Sequence, residues 1–239
     1  MNGKNIARKY PIFSWNSKIG ENSLALNFSR SGGADCDDSC VLKRSGICYA
    51  MASQRLYKAL YAKLERHENN GFEWVLKTAL NAIEENPGDF EGLEFFRFST
   101  HGTVPNREFS TTERVALVRL GDWLKGNNIA IHFPVETREK YAAILDCGIQ
   151  PRLSFQDRIN GSLCSPLCSS VTAGVRRQTK LDRIGDARKI AGFARKAGKR
   201  AVICPAIVSS FTKRERKITC DQCKLCASDK VGMVIYPMH

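Results

Sequence analysis

No apolar run in the sequence approaches the roughly 18 residues that a membrane-crossing helix needs, and the opening Met-Asn-Gly-Lys-Asn lacks the apolar core of a secretory signal. Both absences lead us to expect a cytoplasmic chain with no membrane partner. In that reducing compartment ten cysteines are better read as ligands than as disulfides. The chain also lacks low-complexity segments and any internal repeat beyond a strand–helix alternation. Acidic residues are scarce, 24 against 37 Lys and Arg, which leaves a net charge of +13. That excess is uneven: residues 176–217 hold fourteen Lys and Arg against Asp182, Asp186 and Glu215, and so carry +11 of it. A patch of this kind attracts polyanions, with nucleic acid the natural partner and a solvated helix face the plainer alternative. The expected contacts are Arg176, Arg177, Lys180, Arg183, Arg188, Lys213 and Arg214.

What is present is otherwise ordinary: 239 residues, 43% hydrophobic and 26% charged, enough to bury a full core. Residues 1–22 are polar and turn-rich and read as an arm or edge segment. Alternating Leu24, Leu26 and Phe28 predict a strand over 23–29. Helical spacing begins near Tyr49 and runs to Asn69-Asn70-Gly71, and a second helix covers 73–85. Strands are then expected at 93–99, 129–135, 151–155, 201–204 and 231–236. Helices separate them: one from the capping box Ser110-Thr-Thr-Glu113 to Lys125, one closed by Gly148, and one over 183–197 closed by Gly198. The stretch between 155 and 183 reads as irregular. Strand and helix alternating in this way imply βαβ units, and hence a single α/β domain over 1–239. Its mostly parallel strands would form a partial or full (β/α) barrel with Cys-rich metal-binding loops.

In such folds chemistry collects at the carboxyl ends of strands. The first strand is followed by Cys36-Asp-Asp-Ser-Cys40 and then Cys48-Tyr49-Ala50, three thiols on one polar loop, suited to zinc or an iron–sulfur cluster. The second is followed by Ser99-Thr100-His101-Gly102, the third by Glu136, the fourth by Gln156-Asp157 and the fifth by Cys204. Asp157 is the best titratable candidate, as base, nucleophile or hydrogen-bond acceptor, with a salt bridge to Arg152 or Arg158 as the structural alternative. His101 is placed to bind phosphate or ligand, or is structural. His132 reads as a core or supporting histidine, and His67 as solvated.

The segment 204–239 holds the second thiol constellation, Cys204-Pro205 followed by Cys220-Asp-Gln-Cys223-Lys-Leu-Cys226 and the terminal His239. Two-residue spacers let successive thiolates bend round one ion. Cys204 would complete an all-sulfur site, favouring a cluster or structural zinc, and His239 a three-thiol site that favours zinc. Cys164 and Cys168 close either site or stay free, and Cys147 is expected in the core.

The order Cys36, Cys40, Cys48-Tyr49-Ala50, Cys204-Pro205, Cys220-x2-Cys223-x2-Cys226 and His239 resembles the phage "gene product 88" family, from about residue 23 onward. The seven residues between Cys40 and Cys48 depart from its spacing. The resemblance implies a phage or prophage origin. More loosely, the Cys36-x3-Cys40 loop resembles that of radical S-adenosylmethionine enzymes, although Cys48 breaks the second spacing. It would imply a cluster on Cys36, Cys40 and Cys48 with one iron open to S-adenosylmethionine. The late thiols with His239 are similar to the structural zinc site of tRNA-guanine transglycosylase barrels. That likeness implies a base exchange placing 7-deazaguanine in DNA, with Asp157 as nucleophile. The expectation is a metalloenzyme, with iron–sulfur leading and zinc the rival, that modifies nucleic acid or nucleotide bases. The third reading is a non-catalytic, zinc-stapled nucleic-acid-binding protein.

Overall fold

The computed structural model describes residues 1–15, 19–28, 58–98, 105, 107–135, 138–155, 170–173, 179–211, 218–228 and 231–237. The amino-terminal segment is part of the core rather than a loose arm. Asn2 caps helix α1 (Gly3–Lys9) by accepting from the Asn5 N–H at 3.1 Å, and the short strand β1 (Phe13–Ser14) follows. Ile6, Ile12 and Phe13 are all buried, so apolar residues spaced too widely to show a period still anchor this stretch.

The next strand, β2 (Ser23–Leu26), pairs antiparallel with β1 and parallel with β3 (Phe95–Arg97). All four β2 residues are buried, so both of its faces are covered. Strand β3 pairs in turn with β4 (Ala130–His132), Arg97 standing opposite His132. Only Phe133 separates β4 from β5 (Pro134–Val135), which begins a second ladder through β6 (Arg152–Phe155), β7 (Ser170–Ala173), β9 (Met233–Pro237) and β8 (Ala201–Ile203). Backbone bonds from Phe98 N to His132 O (2.9 Å) and from Arg152 N to Phe133 O (2.7 Å) flank this join. Every pairing except β1–β2 is parallel. The architecture is thus mixed α/β with mostly parallel strands. Among the described strands no pairing joins the β1 edge to the β8 edge, so no ring closes.

Helices cover one face of these strands. Helix α2 (Lys58–Asn70) leads into α3 (Phe72–Glu85), which packs with α4 (Thr111–Gly126). Phe96, Phe98 and Phe133 join that core, with the Phe98 and Phe133 rings stacked at 4.2 Å. After the short α5 (Arg138–Asp146), helix α6 (Lys180–Lys196) lays Ile184, Ala187, Ala191 and Ala194 inward at i, i+3, i+7 and i+10. Ala187, Ala191 and Ala194 meet Ala201, Met233 and Ile235 in a second cluster. Because side chains alternate along a strand, Phe95, Arg97, His132, Val234 and Tyr236 fall on the opposite, inner face. Among the described residues no helix is long and apolar enough to cross a membrane.

Several expectations are corrected. β7 lies within the stretch expected to be irregular, because its four residues, Ser-Val-Thr-Ala, are too few to show a pattern and are held by ladders on both sides. α6 starts three residues early, since Thr179 and Asp182 form a reciprocal cap whose Asp stands where Glu or Gln is the usual signal. His67 is buried rather than solvated: its Nδ1 lies 2.9 Å from the Asn27 carbonyl and its ring packs on Trp74. The Ser110 capping box is present in both halves.

Candidate metal centre

The chain leaves β8 at Cys204, whose N–H donates to the Ile235 carbonyl at 2.8 Å, and turns into α7 (Pro205–Phe211), with proline at the first helical position, where its missing N–H does no harm. The thiol triplet is wound more tightly. Helix α8 (Cys220–Cys223) is a single turn behind Thr219, Lys224 reverses the chain with φ 49°, and a 3-10 turn (Leu225–Ala227) carries Cys226. A turn, a reversal and a second turn bring all three cysteines to one pocket. Cys204 lines it too, with Phe95, Leu225 and Val234 among its apolar walls.

None of the four cysteines is joined in a disulfide. Burial, followed by the neighbouring Cys204, Cys220 and Cys223, pushes the Cys226 thiol up to about 12, with the Tyr236 hydrogen bond acting the other way. Each of these three cysteines is therefore close enough to repel a negative charge on Cys226. A thiolate cluster is unfavourable here by itself and becomes favourable only around a cation. The Tyr236 hydroxyl lies 2.9 Å from the Cys226 Sγ. Burial, followed by the two thiols Cys226 and Cys204, holds that phenol well above its ordinary value. Among the described residues no three His, Cys, Asp or Glu side chains are drawn together tightly enough to hold an ion. The thiols surround a common pocket without having closed on one point.

Three ties fix the segment that carries them. Asp221, 8% exposed, receives N–H bonds from Asn22 (3.2 Å) and Gln222 (2.9 Å) and the Thr219 hydroxyl, while its own N–H donates to the Ile19 carbonyl at 3.1 Å. Gly20 makes room for it, since a Cβ there would lie 2.1 Å from the carboxylate. Lys224 pairs with Glu94 at 2.6 Å, just ahead of β3. Arg152, 8% exposed, donates to the carbonyls of Cys226 (2.7 Å), Val231 (2.9 Å) and Ser228. A buried guanidinium satisfied by three carbonyls is a strong positional clamp.

His132 lies beside this clamp, 8% exposed and stacked on Phe95. It makes a hydrogen bond to the Cys226 backbone, while its Nδ1 has no partner. The Nε2–H is thus the donor and Nδ1 holds a bare lone pair. Burial lowers its pKa to about 3, with the charges of Arg97 and Arg152 adding to the effect.

Of the sequence candidates, the structure brings together Cys204, Cys220, Cys223 and Cys226. Cys36, Cys40, Cys48, His101, Asp157, Cys164, Cys168, His239, Arg176, Arg177, Lys213 and Arg214 lie outside the described residues, as do Glu136 and Gln156. Cys147 is buried in the main core as expected. In the basic region Lys180 opens α6 and Arg188 is exposed, but Arg183 is buried at 9% and does not belong to the outward surface. Its place two positions from Leu181 turns it to the sheet side of the helix. Around Arg188 the exposed face carries Lys189 and Lys196 with Leu181 and Phe193, at 75% and 60% exposure. The sequence reading missed Tyr236, Asp221 and Arg97, and named Arg152 only as a possible salt-bridge partner of Asp157. Only Arg97 and Tyr236 left a signal, a polar side chain in an otherwise apolar strand. Compared with known proteins, the chain matches no family model, no curated protein and no solved structure.

Proposed function

We propose that this chain is a metal-dependent enzyme of phage type that modifies nucleic acid or nucleotide bases in the cytoplasm. Cys204, Cys220, Cys223 and Cys226 form its tetrathiolate metal centre. The observation that carries the reading is the convergence of four cysteines from two separated segments on one pocket, where the other three raise the cost of charging Cys226. Thiolate ligands suit zinc or an iron–sulfur cluster, and the bound metal would neutralise the sulfurs and lock α8 and its following turn to β8. Cys204 serves as fourth ligand in preference to His239, because it already lines the pocket. In this reading the strands form an open partial barrel. The loop with Cys36, Cys40 and Cys48 holds a second, iron–sulfur site for S-adenosylmethionine, Asp157 and His101 stand at the reaction mouth, and the basic region grips the polyanion.

Metal analysis of anaerobically purified protein tests it. We expect iron or zinc bound to the chain, reduced by this centre's share on Cys204→Ala or Cys220→Ala while the metal of the Cys36 loop stays, and unchanged on His239→Ala; protein free of both metals, or metal content unchanged by Cys204→Ala and Cys220→Ala, overturns the centre. A second reading, a zinc-stapled nucleic-acid binder, is favoured by the three ties that join the thiol segment to residues 19–22, Glu94 and Arg152. Colourless zinc protein that keeps its function after Asp157→Ala would select it over the enzyme, including the transglycosylase form in which Asp157 is the nucleophile.

A further inference from the structure

The inner face of the strands holds two polar atoms that the metal centre does not use. His132 is more than nine-tenths buried, and its Nδ1, the lone-pair nitrogen once Nε2–H is given to Cys226, has no partner. Arg97 stands opposite it in register on the adjacent parallel strand, and the Arg97 Nε–H is likewise buried without an acceptor. On the other side of Arg97 the facing residue is Ala25, which contributes only a methyl group. One orphan acceptor and one orphan donor therefore lie side by side. Leaving such groups unpaired in a buried position is unfavourable, which makes a ligand that satisfies both worth seeking. Charge narrows its chemistry. Arg97 and Arg152 both act on His132, Arg97 also acts on Tyr236, and no described carboxylate contributes to the electrostatics of either.

We propose that Arg97 and His132 form a binding site for a phosphate group that carries one proton: a P–O oxygen accepts from Arg97 Nε–H, and the P–OH donates to His132 Nδ1. This assignment goes beyond the metal and polyanion readings and rests on neither of them. Free phosphate and a phosphomonoester share the required chemistry. Sulfate, of similar shape and charge but without a proton at neutral pH, offers only the acceptor half.

Calorimetric titration of the full-length, metal-loaded protein near pH 6 tests the site, because about half of a phosphomonoester keeps its proton there. The probes are inorganic phosphate, a nucleoside 5′-monophosphate, the same nucleoside without phosphate, and sulfate. We expect phosphate or the monophosphate to bind, which of the two identifying the source, and sulfate and the nucleoside to bind at least about tenfold more weakly. Arg97→Lys keeps the positive charge but loses the Nε–H and should weaken phosphate binding by about tenfold while leaving metal content unchanged. Nitrogen NMR of histidine-labelled wild-type protein gives a readout that needs no variant: the His132 Nδ1 signal must move when phosphate is added. Sulfate or nucleoside binding as tight as phosphate, no binding of either phosphate form, or an unmoved Nδ1 signal overturns the site.

Discussion

Arg152 shows how much of the thiol centre rests on a residue that is not a ligand. Its guanidinium reaches the carbonyls of Cys226, Ser228 and Val231, so one side chain sets the path of the loop between the last thiol and β9. The Cys226 carbonyl is also the acceptor for His132, so the clamp and the histidine share a single oxygen. Removing the guanidinium leaves the carbonyls of Cys226, Ser228 and Val231 without this donor, the Val231 one in a buried site. Arg152→Ala should cost about 3 kcal/mol in urea unfolding, at the upper end for hydrogen bonds to a charged group. Arg152→Lys keeps the charge but not the planar fork and should recover only part of that loss. If the clamp positions Cys226, Arg152→Ala must also release metal to a chelator faster than wild type does. Unchanged release would limit Arg152 to stability. Nothing in the sequence marked this residue as a clamp, because its three partners lie 74 to 79 positions away and are backbone atoms.

Helix α6 shows how far an element can be read before folding. Its basic character was plain, and the Ala-rich stripe at 187, 191 and 194 gives it an inward face. Charge count alone, however, placed Arg183 among the outward contacts, whereas it is buried. Conversely, the exposed Phe193 and Leu181 were lost among the helix's apolar residues, since an aromatic in a basic helix reads as core until the inward stripe is known. Legibility thus followed the range of the interaction. The Ser110–Glu113 cap acts over three residues and was visible, whereas the Arg107 fork on the same Glu113, with bonds of 2.6 and 2.8 Å, was not. β7 was invisible because tertiary pairing alone makes it a strand. The two faces of α6 make separable predictions. Replacing Arg188, Lys189 and Lys196 with Ala should weaken nucleic-acid binding and flatten its salt dependence by roughly one unit of log–log slope per lost phosphate contact. Phe193→Ala should weaken binding to single strands more than to duplex, because an exposed ring stacks on unpaired bases. Arg183→Ala should lower stability and leave the salt slope unchanged; a shift in slope would return Arg183 to the contact surface.

At the scale of the whole molecule, the thiol segment ties the end of the chain to its beginning, and buried titratable groups make that assembly sensitive to acid. His67 and His132 are both held neutral by burial, with folded pKa values below the ordinary 6.5, His132 at about 3. The sign follows directly. Below pH 6.5 the unfolded chain takes up protons that the folded chain refuses, so stability is complete above that value and is lost as pH falls toward the folded values. Each such histidine contributes a slope of at most about 1.4 kcal/mol per pH unit. Glu113 extends the trend at lower pH. Although burial alone would raise its pKa, the Arg107 fork and the Ser110 N–H hold it below 4.5, so its contribution is present above that value and disappears as it protonates. Urea unfolding at a series of pH values from 7.5 to 5 should therefore show stability nearly level above about pH 6.5 and falling below it, before carboxylates titrate. His67 isolates one part of that fall, since it lies far from the thiols in sequence and bonds the Asn27 carbonyl rather than the metal segment. His67→Gln should be less stable than wild type at pH 7.5, having lost the ring packing on Trp74, and the gap should narrow as pH drops because glutamine takes up no proton. A gap that stays constant from pH 7.5 to 5 would mean that His67 titrates as freely in the folded chain as in the unfolded one, which its burial between Asn27 and Trp74 does not permit.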